Sequence, residues 1–175
     1  MQIVPSTDRR RAATPLMPDH VVVTINHVAA VEHVPTFAYQ LQREDQHLDE
    51  AIRFVEEQLL PTGAARAAKG VEYCQRLLSA RPLAPDILSG YAAILGELPI
   101  DLLWKALKGG CAAATFHKVP PPGAFIQKVE DEWKRRKATL MRLRRHRDRI
   151  QFATRMRSHR PATVEAAAGR LSRSP

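Results

Sequence analysis

The sequence predicts an all-α protein: a small antiparallel helical bundle with a long basic C-terminal helix and disordered termini. Three observations lead to this fold class. Apolar residues recur at steps of three and four along most of residues 37–150. Prolines and glycines divide that stretch into segments of helical length. Aromatic residues make up only 6% of the 175 residues, so the core is expected to consist mainly of Ala, Leu, Val and Ile.

Residues 1–36 are expected to be a mostly disordered N-terminal segment, because the first 19 residues combine three prolines and three arginines without an apolar period. Residues 20–34 fit two interpretations. The β-branched run Val21–Val23 favours a strand, whereas Val28 and Val31 also fit a helix that ends before Pro35. Both interpretations stay open, and the lack of a second strand to pair with favours the helix.

Residues 37–133 are predicted to form the helical body. Its first helix begins at Asp45 or earlier, near Phe37, and ends at the Pro-Thr-Gly of residues 61–63. A second helix is predicted from Ala64 to about residue 80, with an inner face that includes Val71, Cys74 and Leu77.

Two more helices follow in the body, and a proline lies before each of them. The third begins near Asp86, and its predicted inner face consists of Ile87, Leu88, Tyr91, Ile94, Leu95 and Leu98. The fourth runs from Ile100 to about residue 114, where Gly109 and Gly110 weaken its end.

The last helix is predicted to be the longest, starting at Pro122–Gly123 and running to at least Ile150. Its apolar positions follow a heptad-like seam that is interrupted by Arg136 and Arg147; they are Ile126, Val129, Trp133, Leu140, Leu143 and Ile150. Because buried charge in a seam is costly, we expect the N-terminal half to dock. Residues 134–160 would then project as a basic helical extension, with residues 161–175 as a disordered tail.

Positive charge is concentrated at the C-terminal end. The chain has 27 Lys and Arg against 18 Asp and Glu, a formal net charge of +9, yet residues 134–175 alone hold 14 basic and two acidic residues. Such asymmetry favours contact with nucleic acid or an acidic protein surface, and a solvated arm is the alternative. The predicted nucleic-acid-binding residues are Lys134, Arg135, Arg136, Lys137, Arg142, Arg144, Arg145, Arg147 and Arg149. No Asn or Gln stands among them at recognition-helix spacing, so binding is expected not to be sequence-specific.

Other classes of function find little support in the sequence. Two cysteines are too few for a disulfide scaffold and indicate a reducing, cytoplasmic location. No apolar run is long enough for a membrane span. His20, His27 and His33 are separated by seven and six residues without nearby Cys partners, so no metal site is predicted. Neither a P-loop nor a GxGxxG motif is present, so no cofactor and no enzymatic activity are expected.

A proline motif precedes the basic helix. Pro120, Pro122, Gly123 and Phe125 form the pattern PxPGxF, and Trp133 follows eight residues later. This stretch resembles the replication protein P family of lambda-like phages, which are helicase loaders without ATPase activity. The layout upstream is similar as well, with a Leu-Pro break at Leu98–Pro99 and a tryptophan, Trp104, in the next helix. The resemblance covers about residues 85–133, and the family's helicase-binding part lies downstream of it and is longer than what remains here.

The residues and the resemblance together predict a non-catalytic DNA-replication accessory protein, helicase-loader-like and of prophage or mobile-element type. The helical body would bind a protein partner, a replicative helicase if the resemblance holds, and the basic helix would bind DNA. The alternative is an adaptor or structural helical module whose basic helix docks on an acidic protein or on RNA.

Overall fold

A computed structural model describes residues 16–34, 43–115 and 117–158 of the chain. These residues form helices and no strand, which confirms the predicted all-α class. In chain order the helices are α1 (Asp19–Ala30), a 3₁₀ helix (Arg43–His47), α2 (Leu48–Glu57), α3 (Ala64–Leu77), α4 (Pro85–Gly96), α5 (Ile100–Ala112), α6 (Pro122–Gln127) and α7 (Glu130–Ser158). Within the described ranges, none of them combines the length and the apolar character that a bilayer crossing requires.

Helix α1 confirms the helical interpretation of residues 20–34, and it places an ordered helix inside the segment 1–36 that was expected to be mostly disordered. Val21, Thr24 and Val28 are buried on one face of this helix, and that face packs against α2 and α7. The Thr24 hydroxyl donates a hydrogen bond to the His20 carbonyl at 2.8 Å, so a β-branched polar residue is accommodated within the helix. The segments 1–15 and 161–175, both expected to be disordered, lie outside the described residues, as does the alternative helix start near Phe37.

Helices α3 to α6 enclose the larger of two hydrophobic cores. This large core consists of Ala67, Val71, Cys74, Leu78, Ala92, Leu95, Leu98, Leu102, Leu103, Ala106, Leu107, Cys111, Val119, Phe125 and Val129. The start of α3 crosses the end of α4 closely, and the Gly63 amide donates to the Gly96 carbonyl at 3.0 Å. A Cβ atom at Gly96 would lie 2.9 Å from the Ala64 nitrogen, so only glycine permits this crossing.

The single long helix predicted from Pro122 onwards is two helices, α6 and α7. Lys128 and Val129 separate them, and their amides bond to carbonyls three residues back, at 3.1 and 2.9 Å. This tightening places both Phe125 and Val129 in the large core. The predicted boundaries of the other body helices agree closely, since α3 starts at Ala64 and α5 at Ile100.

The middle of α7 completes a second, small core with α1 and α2. Its buried residues are Val21, Val28, Leu48, Ala51, Ile52, Val55 and Leu143, and Leu140 and Ile150 pack against them. Residues 134–158 are therefore helical as predicted, but they are not a projecting extension of the body. The C-terminal part of the heptad-like seam, which was expected not to dock because of its arginines, packs on α1 and α2. The predicted boundary between body and extension at residue 133 lies inside α7, and α7 contributes to both cores.

Candidate nucleic-acid interface

Helix α7 supplies all nine predicted nucleic-acid-binding residues. Its first turn is acidic, with Glu130, Asp131 and Glu132, and its last turn carries Arg155 and Arg157. This order of charges matches the helix dipole and stabilises a helix of 29 residues. The basic residues occupy every side of α7, so the contacts of each one decide what it can do.

Arg136 points inward and joins the two cores. Its guanidinium binds both carboxylate oxygens of Asp101 on α5, at 3.2 and 2.5 Å, and Glu132 at 2.7 Å. It also donates to the carbonyl of Gln58, at the end of α2, at 3.3 Å. The side chain is only 16% exposed. Arg136 therefore holds the fold together and is not available to a phosphate.

Glu132 is held ionised by this network. It pairs with Lys105 of α5 as well as with Arg136. The hydrogen bond from Lys105, and then that from Arg136, lower the pKa of the Glu132 carboxyl. Glu132 thus attaches the first turn of α7 to α5.

Arg149 leaves α7 on the same side as Arg145 and Arg142, but its guanidinium is bound by the chain that follows α1. It donates to the carbonyls of Val31 at 3.0 Å and Val34 at 2.9 Å, with a longer contact to Glu32 at 3.5 Å. A guanidinium at this place binds carbonyls just beyond the end of a helix, and its charge favours the helix dipole. Arg149 is therefore a structural residue.

A buried polar group lies beside Arg149. Arg149 donates to Nδ1 of His146 at 2.7 Å, so the imidazole carries its proton on Nε2, which faces the Asp45 carboxylate at 2.8 Å. Nε2 of His27 lies 3.5 Å from the same Asp45 oxygen. Burial lowers the pKa of His146, although the bond to Asp45 acts in the opposite direction. This group ties α1, the 3₁₀ helix and α7 together inside the protein.

Five of the remaining cations make contacts near the surface, and all of these except Arg147 are at exposed positions. Arg142 is 3.4 Å from Glu32, Arg144 is 2.7 Å from Glu56 and Lys134 is 2.6 Å from Glu130. Arg147 is 3.9 Å from Asp49, a long contact. The ammonium of Lys137 lies 3.5 Å above the centre of the Trp133 ring.

Arg135 and Arg145 have no carboxylate partner among the described residues. Arg135 bonds to the backbone carbonyl of Asp131 at 3.3 Å, and Arg145 lines a surface pocket with Arg142, Arg149 and Glu32. With 100° per residue, Lys134, Arg135, Arg142 and Arg145 fall within an arc of about 100° and span about 16 Å along α7. We call these four residues the basic strip.

One exposed aromatic residue that the sequence did not single out lies in line with the strip. Phe152 is about half exposed, seven residues beyond Arg145 and so on nearly the same side of α7. Phe125 lies in the large core, and Trp133 packs against it. The position of Phe152 outside the heptad-like seam is the feature of the sequence that could have predicted its exposure.

The PxPGxF motif is a packing device. Phe125 is fully buried, and a Cβ atom at Gly110 would come 2.3 Å from its ring, so the glycine on α5 makes room for it. Pro122 begins α6, Gly123 is exposed and Pro120 follows the buried Val119. Trp133 packs on the edge of the same core. Phe125 thus folds back onto α5.

A surface groove lies between α3 and α5. It has a volume of about 760 Å³ and is lined by Tyr73, Leu77, Trp104 and Lys108, with Cys74 and Cys111 on its floor. Leu77, predicted to face inward, is 56% exposed. The Tyr73 and Trp104 rings meet edge to face, with centroids 6.2 Å apart.

The two cysteines below this groove are free thiols in contact with each other. Burial, and then the neighbouring Cys111 thiol, raise the pKa of Cys74 far above neutral pH. Because the thiolate is the nucleophilic form, Cys74 is suited to packing and not to covalent chemistry.

A third polar group joins α1 to α2 at the surface. His20, His47 and Glu50 bring their nitrogen and oxygen atoms within 4.8 Å of one another, as do the buried His27, Asp45 and His146. No metal site is predicted from the sequence, because the histidines are widely spaced along the chain. Both groups are formed by residues from different helices, which spacing alone does not reveal.

Comparison of the chain with protein-family models, with curated proteins and with solved structures gives no match. Any assignment of function to these residues therefore rests on the contacts described above and on the resemblance in the PxPGxF stretch.

Proposed function

We propose that this protein is a non-catalytic accessory protein that binds nucleic acid through phosphate contacts along the basic strip of α7, without reading base sequence. The observation that carries the proposal is the strip itself, in which Arg135 and Arg145 have no carboxylate partner among the described residues. Guanidinium groups bind phosphate oxygens through strong, charge-assisted and often bidentate hydrogen bonds.

The other two members of the strip can exchange their present partners for phosphate. Arg142 and Lys134 contact Glu32 and Glu130 at exposed positions. Exposed ion pairs of this kind are worth about 0–1 kcal/mol, so a phosphate can replace the carboxylate at little cost. Arg136 and Arg149 differ, because binding phosphate would break several partly buried hydrogen bonds.

The size of the strip fixes the salt dependence. Four phosphate contacts predict a slope of log affinity against log salt of about −3 to −4 on duplex and about −3 on single strands. Nine contacts, as the sequence suggested, would give about −8 on duplex. The slope therefore distinguishes a short strip from a helix that uses all of its cations.

The test is a fluorescence-anisotropy titration of the full chain against a labelled single strand and a labelled duplex over a range of salt concentrations. Arg142→Gln with Arg145→Gln is expected to weaken binding and to reduce the slope by about two. Arg66→Gln with Arg76→Gln, on exposed positions of α3, removes the same charge elsewhere and is expected to have a much smaller effect. Equal losses from both double variants would refute a localised strip, and a flat salt response would refute phosphate binding.

The role that we propose for this binding is in DNA replication, as a helicase-loader-like protein of a prophage or mobile element in the cytoplasm. The PxPGxF stretch supports it through the resemblance to the phage loader family. A replicative helicase would then be the protein partner. Co-sedimentation of the full chain with a purified replicative helicase, with and without single-stranded DNA, tests this role separately from nucleic-acid binding.

The groove between α3 and α5 favours a second candidate function, that of an adaptor. Its walls are apolar and aromatic, and the lining residue with a charged side chain is Lys108. This combination fits an amphipathic helix of a partner protein with an acidic residue opposite Lys108. Trp104→Ala is expected to abolish such docking without affecting nucleic-acid binding, and retained docking in that variant would exclude the groove.

A further inference from the structure

His20, His47 and Glu50 come together from three elements. His20 lies in the first turn of α1, His47 ends the 3₁₀ helix and Glu50 lies in the first turn of α2. Nε2 of His20 is 2.9 Å from one Glu50 oxygen, and Nδ1 of His47 is 3.6 Å from the other. The two imidazole rings are stacked at a tilt, with centroids 4.7 Å apart.

The donor set is that of a transition-metal site. Two imidazole nitrogens and a carboxylate are ligands of Zn²⁺, at bond lengths of about 2.0–2.2 Å. In a tetrahedron of that size, neighbouring ligand atoms are about 3.3 Å apart. The two observed separations, each to a different oxygen of Glu50, are 2.9 and 3.6 Å and lie on either side of this value.

A second observation concerns Nε2 of His20. This atom is shielded from solvent and has no well-directed hydrogen bond among the described residues, although a Glu50 oxygen lies 2.9 Å away. A buried polar atom without a partner is costly. A nitrogen that is close to a carboxylate, but poorly aligned with it for a hydrogen bond, has the placement expected when both groups are ligands of one cation.

We propose that His20, His47 and Glu50 bind one Zn²⁺ ion, with water in the fourth position on the exposed side. The ion would cross-link the first turns of α1 and α2 and so stabilise the small core. This site is distinct from the basic strip, and its failure would leave the proposed nucleic-acid binding unaffected.

The buried group of His27, Asp45 and His146 is the poorer candidate. The guanidinium of Arg149 donates to Nδ1 of His146, which leaves the proton on Nε2, the atom that faces Asp45. A protonated nitrogen offers no lone pair to a metal. The positive charge of Arg149 also opposes a dication at that place.

The experiment is a calorimetric titration of zinc chloride into the full chain after removal of metals, followed by thermal unfolding. We expect one equivalent to bind. At zinc concentrations of about 100 times Kd, the melting temperature should rise by about 5–10 °C. His20→Ala and the isosteric Glu50→Gln should each weaken binding by about tenfold or more. The matched control is His33→Ala, an exposed histidine outside both groups, which should bind as the wild type does.

The metal-free melting temperatures of the variants distinguish loss of a ligand from loss of the fold. Because the three side chains are half exposed, we expect metal-free Glu50→Gln to unfold within about 2 °C of the wild type. The proposal is overturned if the wild type binds no zinc, or if Glu50→Gln and His20→Ala bind it unchanged. Zinc binding that is lost in His27→Gln but kept in Glu50→Gln would place the metal in the buried group and would equally overturn it.

Discussion

Arg149→Gln is expected to destabilise the protein, although Arg149 was grouped with the nucleic-acid-binding residues on sequence grounds. The substitution removes the donor to the carbonyls of Val31 and Val34 and to Nδ1 of His146. Hydrogen bonds from a charged donor contribute about 1.5–3 kcal/mol each. Water can replace the bond at the exposed Val34, so the expected loss is smaller than the sum, about 2–4 kcal/mol.

For a chain of this length, such a loss lowers the melting temperature by about 4–16 °C. The assay is thermal unfolding followed by circular dichroism, with urea unfolding at 25 °C as a second measure. Arg145→Gln is the matched control, because it removes the same charge from the same helix at an exposed position. It is expected to change stability by no more than about 0.5 kcal/mol.

Two outcomes would refute the division of α7 into cations that are bound within the fold and cations that are exposed. One is a melting temperature of Arg149→Gln equal to that of the wild type, and the other is an equal loss in Arg145→Gln. The division also implies the converse for function: Arg145→Gln should weaken nucleic-acid binding while the fold stays intact.

Three further predictions follow from buried and exposed side chains. Phe125→Ala should cost about 3–5 kcal/mol in urea unfolding, because the ring fills a fully buried site against Gly110; an unchanged midpoint would contradict that packing. Burial lowers the pKa of His146, so below about pH 6.5 the unfolded chain takes up a proton that the folded chain does not. The free energy of unfolding should then fall by up to about 1.4 kcal/mol per pH unit as the pH decreases, and this part of the slope should be missing in His146→Gln. Phe152→Ala should weaken binding to single strands by about 1–3 kcal/mol, with little effect on duplex, if bases stack on the exposed ring; anisotropy titrations of both substrates measure the difference.

The body helices could be predicted from the sequence because local rules determine their ends. A proline or glycine precedes α3, α4 and α5, and the apolar period is unbroken within α5. The inner face of α4 was predicted less well, since Ile87 and Ile94 are both 48% exposed. The small Ala92 is buried in their place, because α4 packs closely on α3. Residue size alone does not show where two helices approach closely.

Helix α1 shows the limit of local propensity. Its valines favour a strand, and no cap or charge pattern outweighs them. The helix is stabilised by tertiary contacts, because Val21 and Val28 are seven residues apart and reach the small core only in helical geometry. Its partners lie on α2 and in the middle of α7, more than a hundred residues away for Leu143.

The candidate site could be located on α7 from the sequence, but its residues could not be separated into two kinds. Arginines occupy every side of this helix, so composition and charge give the same description of Arg136 and Arg145. The heptad-like seam contained part of this information: Arg136 interrupts it and faces protein, whereas Arg147, the other interruption, is 39% exposed and Arg149 lies outside the seam. Only the structure shows that the Arg136 guanidinium has hydrogen-bond acceptors in Asp101 and the Gln58 carbonyl. These acceptors allow α7 to pack with an arginine in its seam.

Because both cores use α7, stability and binding cannot be separated by cutting the chain. A chain ending at Trp133 would lose Leu140, Leu143 and Ile150, which close the small core. Loss of nucleic-acid binding in such a truncation would therefore follow from unfolding of α1 and α2 as readily as from loss of the basic strip. Point substitutions that keep the buried contacts and change exposed cations are the experiments that isolate the strip, and this is why Arg145 and Arg149, four residues apart, form the informative pair.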